Sequence, residues 1–399
     1  MPAQAPAKGV NVNQMISRIT RDQGPEFEQT LAFTALTQVS TPTSLRTDRK
    51  VKMFYLHFRG RLTNSATPGT YRTNTLLGTS MFSLIQQATL RGQHLRYGAQ
   101  TPIVMRGEFM AEMMALMNPN YIPRFSNSDN GGAIVVGKDL VNTASHTNDV
   151  DFVIPIPTFP LDLSPSDQQF YSLHGPDWPG NLYFDVLCAD VTACGVTTAQ
   201  STLSAYGSGG GSPSIDILSV RPLVSKALAS QIRPAVTFRV QNFSQPTAAV
   251  STGASGSGVK LGDLTVGKDT TRIIAKFGTA QTGTSAGVTA YASLSDAICT
   301  RFFVSLDNRQ LRFQNANADS ASMDYMMQFY GRTIPVGYRA IDFISGIGTG
   351  TANPKASFQS SQLTAARKFE VDGDLTVSAT NISEFVQEML LGRPALVTQ

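Results

Sequence analysis

The run Val51-Lys52-Met53-Phe54-Tyr55-Leu56-His57-Phe58-Arg59-Gly60-Arg61-Leu62 places Phe54, Leu56, Phe58 and Leu62 on one face. Met53, Tyr55, His57, Arg59 and Arg61 fall on the other. Side chains of an extended chain point alternately to opposite faces, so this period of two predicts a strand with one buried face. Working outward, short extended runs recur at Gln29–Val39, Met81–Leu90, Asp151–Phe159, Leu182–Ala189 and Ile215–Val224. They recur again at Val236–Val240, Arg272–Phe277, Thr300–Leu306, Tyr338–Ser345 and Lys368–Ala379. Many short strands with turn signals between them predict an all-β sandwich or barrel.

Two stretches depart from that pattern. Glu108–Met117 places Phe109, Met110, Met113, Met114 and Met117 at helical spacing, and Ser322–Tyr330 does the same with Met323, Met326, Met327 and Tyr330. Both read as short helices covering the open side of a sandwich, with an adaptable thioether surface as the alternative. Asn381-Ile382-Ser383-Glu384 resembles a capping box, predicting a C-terminal helix with Phe385, Val386, Met389 and Leu390 that ends before Gly392 and Pro394. Asp372-Gly373 reads as a tight hairpin turn. Gly207–Ser214, Thr247–Val259 and Gly278–Gly287 read as surface loops.

The 399 residues exceed what one core fills efficiently. The sequence also echoes itself: Leu95-Arg96-Tyr97 returns as Leu311-Arg312-Phe313, and Glu108-Phe109-Met110 as Asp324-Tyr325-Met326, both 311 − 95 = 324 − 108 = 216 residues later. Duplication of one sandwich follows, with a boundary near Lys226–Pro234. The expected division is an N-terminal segment at 1–24, a first jelly roll at 25–228 and a second at 229–399. The fold class is thus all-β, two tandem eight-stranded jelly-roll sandwiches (a double jelly roll) with short accessory helices.

Residues 1–24 are polar but carry Val12, Met15, Ile16 and Ile19 at i, i+3, i+4 and i+7, near Lys8, Arg18 and Arg21. So short a helix is unstable alone in water. Val12, Met15, Ile16, Arg18, Ile19 and Arg21 are therefore the candidate docking residues, toward a neighbouring subunit or a membrane. The opening MPAQAPAKGVNVNQMISRI lacks the apolar core of a secretion signal, and no run is long enough to span a bilayer, so neither secretion nor spanning is expected.

Charged residues make up 15% of the chain, against about 25% in an average soluble domain. That suits a surface largely covered by copies of itself. The net charge of +4 is spread out with no basic run, so no specific nucleic-acid partner is expected.

Chemistry is sought without success. His57, His94, His146 and His174 have no metal-ligand spacing. Asp149/Asp151 and Asp372/Asp374 are close carboxylate pairs of the kind glycosidic cleavage uses, but read better as acids entering strands. Gly346-Ile347-Gly348-Thr349-Gly350 is followed by Thr351-Ala352-Asn353-Pro354, where a phosphate-binding loop would need a helix start. Cys188, Cys194 and Cys299 read as free thiols in a reducing cytoplasm, with a Cys188–Cys194 disulfide left open. No catalytic residue, cofactor or metal is expected, and the chain is not expected to be an enzyme.

Phe152-Val153-Ile154-Pro155-Ile156-Pro157, then a polar stretch and Leu182-Tyr183-Phe184-Asp185-Val186, is the local piece that most resembles a known family. With Val51–Asn64, Ile215–Leu228 and Arg339–Gly346 in the same order, the chain resembles the double jelly-roll major capsid proteins of tectivirus-like, membrane-containing icosahedral bacteriophages, the adenovirus-hexon lineage. The resemblance implies a viral major capsid protein, a homotrimer whose six sandwiches form a pseudo-hexameric block tiling an icosahedral shell around an internal membrane. It implies partners in the chain itself, in minor capsid or vertex proteins and in the viral membrane, and a place in the virion capsid after assembly in the host cytoplasm. The alternative is a β-sandwich receptor- or glycan-binding virion protein, which would want exposed rim aromatics where Trp178 is the only tryptophan.

Overall fold

The computed structural model describes residues 22–74, 76–78, 80–117, 125–126, 140–161, 163, 167–168, 171–207, 210–222, 232–233, 235–244, 255–315, 334–344, 358–363, 367–376, 378, 380–392 and 395–396. Sixteen strands carry the architecture. The first eight are β1 (Asp22–Ala32), β2 (Gln38–Ser40), β3 (Met53–Asn64), β4 (Ile85–His94), β5 (Gly98–Met105), β6 (Thr147–Pro157), β7 (Leu182–Cys188) and β8 (Ser214–Pro222). The next eight are β9 (Val236–Ser244), β10 (Ser255–Asp263), β11 (Asp269–Ala280), β12 (Cys299–Leu306), β13 (Arg309–Asn315), β14 (Tyr338–Asp342), β15 (Phe369–Thr376) and β16 (Asn381–Leu391). One helix, α1 (Gly107–Met117), lies between β5 and β6.

The first eight strands pair in the orders β1-β8-β3-β6 and β2-β7-β4-β5. The second eight pair as β9-β16-β11-β14 and β10-β15-β12-β13. Subtracting eight from every label turns the second pair of orders into the first, so one jelly-roll wiring occurs twice. β3 and β11 each span 12 residues and begin 269 − 53 = 216 residues apart, the offset of the sequence echo. The Leu95 and Leu311 triplets both lie at the β4–β5 and β12–β13 hairpins, whereas Asp324–Met326 falls outside the described residues.

The alternation read in Val51–Leu62 is present in β3, where Phe54, Leu56, Phe58 and Leu62 are fully buried. Phe58 stacks on Phe152 of β6, and Phe54 meets Phe184 of β7 edge-on across the sandwich. The Phe54–Phe184 contact joins the two sheets of the first roll, and truncating either ring costs about 3–5 kcal/mol. α1 closes the open side with Phe109, Met110, Met113 and Met114, as its Met spacing predicts. The second roll closes over Ile273, Phe277, Phe302, Val304, Val371 and Phe385. Its β12–β13 hairpin turns on Asp307 and Asn308, both at positive φ, the pair of left-handed residues a two-residue hairpin uses.

The rolls are joined edge to edge. β5 pairs in parallel with β9, Ile103 opposite Arg239 and Val104 opposite Val240, so one sheet runs through both sandwiches.

Three expectations are corrected. Asn381–Leu391 is the strand β16 and not a helix. It is hydrogen-bonded on both sides, to β9 and β11, and its first ten residues are buried. Glu384 was expected to close a capping box, but Glu384 and Glu388 point into ion pairs, so pairing overrides local propensity. Asp372-Gly373 lies within β15; a Cβ on Gly373 would stand 3.3 Å from the Arg301 carbonyl oxygen, so the glycine serves close strand approach and not a turn. The glycine-rich loops at Thr247–Val259 and Gly278–Gly287 are partly strand: Ser255–Val259 opens β10 and Gly278–Ala280 ends β11. A Cβ on Gly278 would meet the Ser293 carbonyl oxygen at 2.2 Å. In addition, β1 begins at Asp22, inside the N-terminal segment expected at 1–24. Ser322–Tyr330, Gly346–Gly350 and residues 226–231 and 234 of the expected boundary lie outside the described residues.

Candidate functional site

Where the rolls meet, charged groups are buried that the sequence leaves unmatched. α1 is an apolar helix carrying two carboxylates one turn apart, Glu108 and Glu112, on the face it turns to the second roll. Both are at most 1% exposed. Glu108 receives Arg72 Nη1 and Nη2 at 3.0 Å each, Asn74 Nδ2 at 2.6 Å and the Ser83 hydroxyl. Glu112 receives Asn74 Nδ2 at 2.6 Å and, from β11 of the second roll, Lys276 Nζ at 2.5 Å. Lys276 also stands 4.0 Å from Glu108 and over the Tyr291 ring. Beside them Arg106, at the end of β5, donates to Glu384 of β16 at 3.0 Å and to the Thr289 carbonyl at 2.6 Å. Gln241 of β9 accepts from the Arg106 backbone and donates to Glu384, both at 2.5 Å.

Three cations (Arg72, Arg106, Lys276) thus balance three carboxylates (Glu108, Glu112, Glu384), with members from both rolls. Burial alone would push Glu108 up, but Arg72 and Lys276 more than offset it and hold its carboxyl well below the usual range. Burial, reinforced by the Glu108 charge, raises Glu112 despite Lys276. The two carboxylates share one pocket with their ionisations driven apart.

A second tie lies at the far end of β9. Arg239 donates from Nε to Glu388 at 2.9 Å and caps the carbonyls of Pro157 and Phe159, where β6 of the first roll ends. Thr271 donates to Glu388 at 2.9 Å, and Arg272 pairs with Asp342 at 2.9 Å. Phe159, Leu163 and Tyr171 of the first roll pack there against Ala235, Ile344 and Leu390 of the second. A third tie is polar: Ser285 donates to Asp190 at 2.5 Å, and its backbone donates to Thr192. Removing one partner of such a buried pair costs about 3–5 kcal/mol, because the other charge stays buried. The seam holds two sandwiches as one block.

The residues singled out from sequence are mostly elsewhere. The docking set Val12, Met15, Ile16, Arg18, Ile19 and Arg21 lies outside the described residues. Asp149 and Asp151 do not face each other across a cleft: on β6 they pair with β3, Asp149 with Arg61 at 2.6 Å and Asp151 with His57 at 2.7 Å. Asp372 is buried against Ser305. Cys188, Cys194 and Cys299 are free and buried, and burial pushes their thiols up to about 11, 12 and 12. No group of three metal-ligating side chains occurs among the described residues. A cavity of about 200 Å³ beside the seam is lined by Gln86, Gln87, Val104, Met105, Arg106, Leu187, Gln241, Gly287 and Thr289, none of them a nucleophile paired with a base. Trp178 is buried.

The seam residues carry one faint sequence signal, a lone charge inside an apolar run: Lys276 in Ile273–Phe277, Arg239 in Val236–Val240, and Glu108 and Glu112 on a methionine helix.

No family model matches the chain, and neither does any curated protein. Solved structures do. The STIV major capsid protein superposes with a TM-score of 0.56 at 13% identity, over 92% of this chain and 97% of that one. The PBCV-1 virus capsid gives 0.54 at 11% identity, over 95% and 97%. The Faustovirus major capsid protein gives 0.50 at 8% identity, over 95% and 90%. The fold is the double jelly roll of these capsid-protein structures.

Proposed function

We propose that this chain is a viral major capsid protein, a self-assembling subunit of an icosahedral shell. One observation carries the reading: a jelly roll wired twice in the same order, the copies fused edge to edge and pinned by buried ion pairs. A shell subunit needs such a block, because lattice contacts fix curvature only if the two sandwiches cannot swing against each other. The sparse charge fits a surface meant for sister copies.

The finer reading is a homotrimer whose six sandwiches make a pseudo-hexameric tile, assembled in the host cytoplasm and joined at the vertices by minor capsid proteins. The rolls divide near residues 228 and 229, and residues 1–24, with Val12, Met15, Ile16, Arg18, Ile19 and Arg21, dock on a neighbour or on a membrane inside the shell. Electron microscopy of the expressed protein tests the shell: closed particles with hexagonally packed capsomers are expected, and a preparation without shells under any assembly condition would contradict it. Removing residues 1–20 tests the docking; particles of unchanged size and lipid content would end that part.

A further inference from the structure

The seam gathers an amine, an amide and a carboxyl of complementary reactivity around one oxygen. Glu112 Oε1 receives Lys276 Nζ from the second roll at 2.5 Å and Asn74 Nδ2 from the first at 2.6 Å. The two nitrogens therefore lie at most 2.5 + 2.6 = 5.1 Å apart. Asn74 Oδ1 accepts from the backbone of Leu76 at 2.8 Å and of Leu77 at 3.0 Å. Those are two fixed donors on the oxygen where charge would build during attack at its carbon. Asn74 Nδ2, the group that would leave, also donates to Glu108 at 2.6 Å. The rings of Tyr291 and Tyr338 stand 4.4 and 5.9 Å from Lys276 Nζ. Asn74, Glu112 and Lys276 are all at most 5% exposed, so bulk water is kept from the group. A turn at Asn74 and an ion pair at Lys276 account for each contact singly. They leave unexplained why nucleophile, amide and proton carrier meet at one atom.

We propose that Lys276 and Asn74 join in an isopeptide bond that ties the second roll covalently to the first. Glu112 takes a proton from the Nζ ammonium, and the neutral amine turns toward Asn74 Cγ and attacks it from roughly 3–3.5 Å. Glu112 hands that proton to Nδ2 as the Cγ–Nδ2 bond breaks, and ammonia leaves. The surplus proton on the new amide nitrogen passes to Glu112, which ends neutral, the form its raised carboxyl favours. Atoms and charges balance without an oxidant or co-reactant. Glu108, 4.0 Å from Nζ, stays ionised and favours the ammonium, so the reactive amine is scarce and closure trails folding. The ion pair is the state that folding reaches first. The bond links positions 276 − 74 = 202 residues apart, so it restricts the unfolded chain as a long-range disulfide does. It does not rest on the capsid reading.

Intact-mass spectrometry of the full chain, denatured directly after purification and again after prolonged incubation, tests it. A species lighter than its sequence by one ammonia should appear and grow with time. Its tryptic digest should contain Thr73–Arg91 joined to Ile273–Arg301, with Lys276 uncut. K276M and N74A should keep their full masses, and E112Q should close about a hundredfold more slowly. Far-UV circular dichroism controls for folding of the variants. A native chain that stays at its full mass would overturn the proposal whatever the variants do. So would ammonia loss that persists in K276M, which marks ring closure at Asn74 alone, or loss of water, which marks Lys276 joined to a carboxylate. Folded E112Q closing at the native rate would overturn the proposed chemistry. Linked chains that build no shells would remove the capsid reading and leave the bond; shells of unlinked chains would remove the bond alone.

Discussion

Replacing Lys276 by methionine removes a cation that the second roll places against α1. Glu112 would keep Asn74 and the neighbouring Tyr338 hydroxyl but no cation of its own, with Glu108 and its negative charge in the same pocket. Lys276 and Glu112 are each at most 1% exposed, so the change strands a buried carboxylate and costs about 3–5 kcal/mol at neutral pH. At roughly 2–4 °C per kcal/mol for a domain of this size, the transition involving the seam should fall by about 6–20 °C. The loss should depend on pH. The Glu112 carboxyl is already raised in the folded protein, and losing Lys276 raises it further. A carboxyl whose folded pKa lies above its unfolded value penalises folding when ionised. That penalty is relieved as pH falls through the folded pKa, toward the ordinary 4.5. K276M should therefore be most damaging above neutrality and recover part of its stability near pH 5. Differential scanning calorimetry of both proteins at pH 8, 6.5 and 5 measures this. An unchanged transition at pH 8, or an equal drop at all three values, would refute the seam argument.

Arg239→Met should cost about 3–5 kcal/mol in urea unfolding, because Glu388 loses its nearest cation and the Pro157 and Phe159 carbonyls lose their donor; hydrogen exchange at Thr158–Leu161 should speed up with it. Glu108 works with the opposite sign to Glu112. Its depressed carboxyl contributes stability that is present above its unfolded value of 4.5 and lost as pH falls toward its folded pKa. The stability gap between wild type and E108Q should therefore be widest at pH 7 and shrink by up to about 1.4 kcal/mol per pH unit below 4.5, read from denaturant midpoints. The buried thiols, pushed up to about 11–12, should resist a thiol-disulfide reagent at pH 8 in the native protein, and all three should react once it is unfolded. Fast native labelling would contradict their burial.

The strands with one wet face were legible because alternation reports burial directly, as in Phe54, Leu56 and Phe58. α1 was legible from its methionines. β16 was not: both its edges are hydrogen-bonded and its glutamates point inward, so Asn381–Leu391 shows no clean alternation and its Asn-x-x-Glu start imitates a helix cap. The seam was illegible for a related reason. Lys276 lies 164 residues from Glu112, and Arg106 lies 278 from Glu384, so only the fold states which charge answers which. Gly373 misled because a glycine after aspartate serves a turn or a close strand contact equally well, and local sequence does not separate the two.

The central claim is that two fused sandwiches act as one rigid tile made to meet its own copies. Single-particle imaging of the purified chain at micromolar concentration tests it most directly. A threefold particle with six sandwich densities, the two within each subunit holding a constant angle, is the predicted result. A monomer whose two halves take up varying angles would contradict it.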